Sequence, residues 1–404
     1  MARCDELAGL TEEPGRITRR YGTPALQEAL DRVGRWMADA GMEVRRDAVG
    51  NLVGRVAAAD GSEAPRLVLG GHLDTVRDAG RYDGVLGVLS GLAGVECLRA
   101  EGRRPPVPLE VVAFADEEGL RFHTSFFASR AYAGIPIDEQ LDYADEAGIT
   151  LREAIRAFGG DPDERARAAR RPGELLGFVE AHIEQGPVLE REDLPVGVVS
   201  GIVGSTRGEV VIAGMAGHAG TVPMAMRRDA LGAAAEVVLA VEEVGREVPG
   251  LVATVGKLEV QPGASNVIPG LVTGTLDLRH ADAAVRAEAY TAIRERAVRI
   301  AARRGVRIDW RTLAGYEATP CDPALTARLR EAVAAAGVRP LEIASGAGHD
   351  AVSLAAICPI AMLFVRCRDG ISHNPAEAVD EADVAVAIGV LRSFVERMAA
   401  RPVL

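Results

Sequence analysis

A chain of 404 residues exceeds one ordinary hydrophobic core, so two domains are expected. Hydrophobic residues make up 48% and charged residues 26%, which supplies material for packed cores and excludes a disordered chain. The formal net charge of −12 excludes a protein that tracks a nucleic-acid backbone, since phosphate contacts need a basic stripe. The short basic run at residues 99–104 reads instead as a solvated helix end. Five cysteines (Cys4, Cys97, Cys321, Cys358 and Cys367) lack CxxC spacing, so neither a disulfide framework nor a thiolate zinc site is expected. Cys97 and Cys358 lie among apolar neighbours and read as core residues. The opening MARCDELAGLTEEPGR has no apolar run of the signal-peptide type, and no stretch approaches a membrane span. A cytoplasmic protein with no membrane partner is the resulting expectation.

Residues 25–37 place Leu26, Leu30, Val33, Trp36 and Met37 at helical spacing, with Gly41 as a stop. Residues 66–71 (RLVLGG), 109–115 (LEVVAFA) and 361–365 (AMLFV) are short apolar runs separated by helical stretches such as 85–98. That alternation predicts buried strands of an α/β sheet. Residues 164–171, rich in Arg and Ala, read as an exposed helix. From residue 207 to about 311 the texture changes. Strand-like segments are expected at 209–213, 251–259, 271–277 and 307–312, with helices at 229–244 and 283–303. Two long helices with several strands form an inserted α+β domain over residues 207–314, which interrupts an α/β domain of residues 1–206 and 315–404.

A cluster of His, Asp or Glu follows each apolar run, where open α/β sheets carry their active sites. His72 and Asp74 stand in GGHLDT, Asp83 in RYDGVLG, and Asp116, Glu117 and Glu118 after LEVVAFA. His182 lies in EAHIEQGP and His373 in GISHNP. Imidazole and carboxylate donors without thiolate suit zinc, manganese or cobalt. A lone histidine at a strand end is ordinarily a satisfied structural residue, and a DEE turn is ordinarily solvated. Convergence of several on strand ends is what favours chemistry. Successive residues past a strand end point in different directions, so one carboxylate can ligate a cation while its neighbour faces substrate. The free carboxylate can then take a proton from water and pass it to a leaving nitrogen.

The motifs GGHLDTVRDAGRYDGVLGVLSGL, FADEEGLRF, EAHIEQGPVLE, GMAGHAGTVPMAMRRDAL, GASNVIPG and SGAGHDA…GISHNP resemble the metallopeptidase M20 superfamily. More narrowly they resemble its branch of allantoate amidohydrolases, N-carbamoyl-L-amino acid hydrolases and β-ureidopropionases. The resemblance implies a zinc-peptidase-like catalytic domain, an inserted lid domain through which a homodimer forms, and two divalent metal ions per subunit. On the matching positions, His72 and His182 would bind one metal, Glu118 and His373 the other, and Asp83 would bridge them. Glu117 would be the general base, and Asp74 would hydrogen-bond His72 to fix its tautomer. Peptidase relatives generally carry a carboxylate where this chain has His182, which favours the ureido-cleaving branch.

In the inserted domain, His218 would stabilise the tetrahedral oxyanion, often across the dimer interface. Arg279 would hold a substrate carboxylate, with Asn266 and Gln185 adding hydrogen bonds. His349 in GAGHD would lie close to the substrate, whereas His123 and His280 read as structural or exposed. Read without the motifs, Arg279 fits a surface ion pair and Asn266 a turn. Allantoate is the first expected substrate, with N-carbamoyl-L-amino acids next. A peptidase or aminoacylase is disfavoured by His182, and a non-catalytic metal binder by the retained Glu117. No GxSxG elbow, Walker loop or GxGxxG after a strand is present, which removes serine hydrolases and the common nucleotide binders.

Overall fold

The computed structural model describes residues 1–398. It forms two compact units, Met1–Gly201 together with the chain from Cys321 onward, and Ile202–Pro320. In chain order the strands before the insertion are β1 (Glu43–Arg46), β2 (Leu52–Val56), β3 (Arg66–His72), β4 (Leu109–Phe114), β5 (Leu175–Ile183) and β6 (Val196–Ile202). The insertion contributes β7 (Gly204–Ala213), β8 (Gly217–His218), β9 (Val252–Thr254), β10 (Leu258–Gln261), β11 (Val267–Ile268), β12 (Leu271–His280) and β13 (Arg307–Tyr316). Then follow β14 (Thr319–Pro320), β15 (Glu342–Ser345) and β16 (Ile360–Val365).

The first unit is an α/β structure on a mixed sheet that runs β1-β2-β4-β3-β5-β16-β6, with β15 beside β6. Its centre is parallel: β3 pairs with β4 and β5, and β16 with β5. Parallel strands are covered on both faces, which is why β4 and β16 are buried at every position and read as uninterrupted apolar runs. The helix Val85–Ala100 is similarly apolar around most of its circumference and packs on β3 and β5. By contrast the helix Pro24–Asp39 buries one stripe, Leu26, Leu30, Val33 and Met37, and its Thr23 cap accepts a hydrogen bond from Leu26 N–H.

β5 escaped the sequence reading because Glu180 and His182 break its apolar run, although both are buried. Residues 164–171 are not an exposed α-helix. A 3-10 turn covers Pro162–Arg167, after which the chain heads inward and Arg170 reaches the buried Glu110 on β4 at 3.0 Å. That ion pair, closed by Arg55 at 2.8 Å and the Tyr132 hydroxyl at 2.5 Å, takes Arg170 out of solvent, whereas Ala166, Arg167 and Arg171 stay exposed.

The second unit has an antiparallel sheet ordered β10-β12-β7-β13, with β9 beside β12. Side chains of β12 alternate between buried and half-buried, so one face is covered. Val210, Ile212 and Val272 from that sheet pack with Ala230, Ala234 and Val237 of the helix Ala230–Glu247 and Ala297 and Ile300 of the helix Ala283–Arg304. Asp229 and Asp282 cap these helices. Residues 251–259 are two strands rather than one, because β9 and β10 pair with different stretches of β12. The unit extends beyond residues 207–314 at both ends, since β7 and β13 stay paired from Ser205 with Tyr316 onward.

Candidate active site

Because β3, β4, β5 and β16 are parallel, their C-terminal ends share one edge of the sheet. His72 is the last residue of β3, and His182 lies next to the end of β5 opposite Phe364 of β16. Gly70 faces Glu180, two residues before each histidine, and the two imidazole centroids lie 5.9 Å apart. Asp83 arrives on the turn before the helix Val85–Ala100. Gly84 makes that turn with φ +67°, and a Cβ there would stand 2.4 Å from the His72 ring. Only glycine tolerates both the conformation and the approach.

Asp83 is the hub. Its Oδ1 lies 3.0 Å from His182 Nε2 and 3.6 Å from His72 Nε2, and its Oδ2 lies 3.2 Å from His373 Nε2. His373 Nε2 is also 3.5 Å from Glu118 Oε1. Ligand atoms of His72, Asp83 and His182 all fall within 4.8 Å of one another, as do those of Asp83, Glu118 and His373. A third such group is His72, Glu117 and Glu118, so Glu117 stands within reach of the same centre. Imidazole nitrogens and carboxylate oxygens at this spacing fit a pair of divalent cations, and no thiolate takes part.

The electrostatics agree with such a centre. Burial would depress the His72 imidazole, but Asp74 and Asp83 outweigh it and raise it well above its ordinary value. Burial would raise the Asp83 carboxyl, yet His182, His373 and His72 hold it well below the usual carboxylate range. Burial pushes Glu117 well above that range against the pull of His72, with Glu118 and Asp350 adding to the rise. Burial and the Asp83 charge bring Glu118 up to about 7. Crowded, desolvated carboxylates around imidazoles call for positive charge.

Asp74 touches both His72 and the DEE turn. Its carboxylate accepts Glu117 N–H at 3.0 Å and Glu118 N–H at 3.1 Å, bracing the DEE turn. The hydrogen-bond partner of His72 Nδ1 at 3.0 Å is the Asp74 main-chain oxygen, with the Asp74 carboxylate at 3.5 Å. His182 Nδ1 likewise faces the Ile183 main-chain oxygen at 2.9 Å, so that both Nε2 atoms turn toward Asp83, with His182 Nε2 also 3.3 Å from Gly84 N–H. Gln185, with φ +58°, donates from Nε2 to Asp83 Oδ2 at 3.0 Å and to Ser372 Oγ at 2.9 Å. His349 is 1% exposed, bonds Ser345 Oγ at 2.8 Å through Nε2 and packs edge-on against His182 at 4.5 Å. Burial, with His182 adding to it, pushes the His349 imidazole well below its ordinary value, so it is neutral.

In the second unit, His218 pairs across β8 and β11 with Val267, and Ala219 N–H bonds the Asn266 main-chain oxygen at 3.0 Å. His218 and Asn266 are therefore neighbours. His218 is exposed, and its Nδ1 accepts Gly220 N–H at 3.0 Å. Arg279 on β12 holds Asp277 with two hydrogen bonds of 3.0 and 2.9 Å. His123 is exposed, and His280 Nδ1 accepts Asp282 N–H at 2.9 Å. Sequence reading overlooked the buried acids Glu180 and Asp350 behind the centre, and also Ser372. Glu180 carried a signal, since two residues before His182 on a strand puts both on one face.

A family model described as peptidase family M20/M25/M40 matches residues 68–397. The chain belongs to that family. It is 43% identical over 398 residues to the N-carbamoyl-L-amino acid amidohydrolase of Geobacillus stearothermophilus, covering 98% of this chain and 97% of that one. It is 39% identical to the allantoate deiminase of Arabidopsis thaliana over 98% of this chain and 81% of the other. A crystal structure of an amidase of the hydantoinase/carbamoylase family from Burkholderia multivorans superposes with TM-score 0.93 at 37% identity, covering 100% of this chain and 97% of that one. Within the M20 family the chain thus falls among the amidohydrolases, hydrolases of carbon–nitrogen bonds.

Proposed function

We propose that this chain is a two-metal amidohydrolase that cleaves a ureido carbon–nitrogen bond of a small carboxylate. The observation that carries the reading is the placement of Asp83, one oxygen toward His72 and His182 and the other toward His373, with Glu118 beside it. His72, His182 and Asp83 would hold one cation, and Asp83, Glu118 and His373 the second. When bound, the pair lowers the pKa of water from 15.7 toward about 7 and polarises the ureido carbonyl. Zinc and manganese both suit these donors, and cobalt does too.

Glu117 acts as the general base. It takes a proton from water as the oxygen adds to the ureido carbon, and returns a proton to the nitrogen that leaves. The first carbon–nitrogen bond breaks to release one nitrogen and leave a carbamic acid, whose second carbon–nitrogen bond then breaks, so that R–NH–CO–NH2 and one water end as R–NH2, carbon dioxide and ammonia. Asp74 holds the Glu117 and Glu118 amides, so base and ligand keep their separate directions. His218 stabilises the developing oxyanion, Arg279 binds the substrate carboxylate, and Asn266, Gln185 and His349 shape its surroundings. For Gln185 and His349 that contribution runs through Asp83 and His182, which they touch.

Allantoate is the substrate we assign first, on the segments FVRCRDGISHNPAEAV and AHIEQGPVLE. The 43% identity to an N-carbamoyl-L-amino acid amidohydrolase favours a second reading, with such amino acids as substrate. We assign the inserted unit the roles of lid and dimerisation domain of a cytoplasmic homodimer. No helix among the described residues is long and apolar enough to cross a membrane. Ammonia release from allantoate and from N-carbamoyl-L-amino acids, compared side by side, separates the two substrates. Release from neither overturns the reading.

A further inference from the structure

Glu377 lies in the segment NPAEAV after His373 and belongs to none of the donor groups. It is 4% exposed, yet its carboxylate faces no Lys or Arg side chain in any hydrogen bond or ion pair the described residues show. Its Oε1 accepts two main-chain N–H groups from the far side of the sequence, Tyr82 at 2.7 Å and Asp83 at 3.2 Å. Its Oε2 lies 3.4 Å from Ser372 Oγ, and Ser372 Oγ lies 2.9 Å from Asp83 Oδ2. A hydroxyl has one hydrogen, and the shorter contact assigns it to Asp83. The Glu377 side chain runs over Gly80, where a Cβ would stand 2.1 Å from the Glu377 carboxyl carbon. Gly80 thus leaves the space through which Glu377 reaches the Asp83 turn.

Neither the Asp83 turn nor the His373 segment is a strand, so no sheet register fixes one against the other. A buried carboxylate that accepts two amides of one segment while belonging to the other supplies that constraint. We propose that Glu377 is a positioning residue that clamps the Asp83 turn to the His373 segment, so that the Asp83 carboxylate spans both halves of the centre. The proposal rests on the two-metal reading above. It does not depend on which substrate is cleaved.

Competition for Mn²⁺ between the full chain and a fluorescent chelator tests it, together with the visible spectrum of the Co²⁺-loaded protein. E377A is expected to weaken retention of the cations by about ten- to a hundredfold and to alter the Co²⁺ bands. E377Q keeps an oxygen acceptor for both amides and is expected to stay within about threefold of the parent, which is a conservative rescue. If E377A does not fold, G80A gives a second route, because its Cβ displaces the Glu377 carboxyl without removing it, and weaker retention is again expected. Parent-like Mn²⁺ retention and Co²⁺ bands in a folded E377A or in G80A would overturn the proposal. So would loss of melting temperature alone, since a purely structural role moves stability and leaves the cation spectrum unchanged. Absence of ureido hydrolysis in the parent would count against the proposed function only, since cation retention is read without substrate.

Discussion

Among single residues, the neighbouring carboxylates Glu117 and Glu118 do different work. Glu117 and Glu118 leave the end of β4 with their amides held by one Asp74 carboxylate, and both side chains lie near His72. If Glu117 moves protons and Glu118 binds a cation, E117Q should retain two metal ions while turnover falls by about 10²- to 10⁴-fold. Metal analysis beside steady-state rates checks this, and normal turnover in E117Q would remove the base assignment. Arg279 gives a contrasting case. Its guanidinium already holds Asp277, so a substrate carboxylate must share the fork. Loss of a charge-assisted pair worth about 1.5–3 kcal/mol should raise KM of R279A by about ten- to a hundredfold, with kcat changed far less. An unchanged KM would place Arg279 outside the binding surface.

Among the elements, β4 shows how a charge survives inside a sheet covered on both faces. Glu110 is fully buried, and burial would raise its carboxyl, but Arg170 foremost, with Tyr132 and Arg55, brings it below the usual range. A carboxyl lowered in the fold contributes stability above its unfolded value near about 4.3, and that contribution is lost as pH falls through the folded value. Removing it leaves Arg170 and Arg55 without their buried partner. E110A should therefore cost about 3–5 kcal/mol at pH 7, read from urea midpoints. The gap between parent and variant should narrow below about pH 4, and a gap that widened with acid would contradict the assignment.

The same strands show what the sequence made legible. β3, β4 and β16 announced themselves as apolar runs, because both of their faces are covered. β5 did not, since its site-facing Glu180 and His182 break the run that marks a buried strand. Arg170 was unreadable for the opposite reason: a surface-like run of Arg and Ala gives no hint that one guanidinium must reach Glu110. His72, Asp83, Glu118, His182 and His373 were all visible as motif residues, but the use of the Asp74 carboxylate on two amides depends on a turn that only the fold closes.

At the scale of the whole molecule, five cysteines are distributed without a disulfide among the described residues. Burial pushes Cys4 and Cys367 up to about 11 and Cys321 and Cys358 up to about 12, whereas Cys97 is only half-buried. A native thiol titration at pH 8 should therefore show at most one fast-reacting group, with the other four released by denaturant. Rapid reaction of several thiols in the native chain would contradict this packing.

The central claim joins a two-cation centre to ureido chemistry, and one measurement addresses both halves. The protein is stripped with chelator and reconstituted with Mn²⁺ or Zn²⁺, and ammonia release is followed from allantoate and N-carbamoyl-L-amino acids beside hydrolysis of a dipeptide. The stripped protein should show no turnover, recovery should saturate near two cations per chain, and the reconstituted protein should hydrolyse a ureido carboxylate in strong preference to the dipeptide. Ureido hydrolysis that persists in the stripped protein, or a reconstituted protein that cleaves only the dipeptide, would contradict the claim.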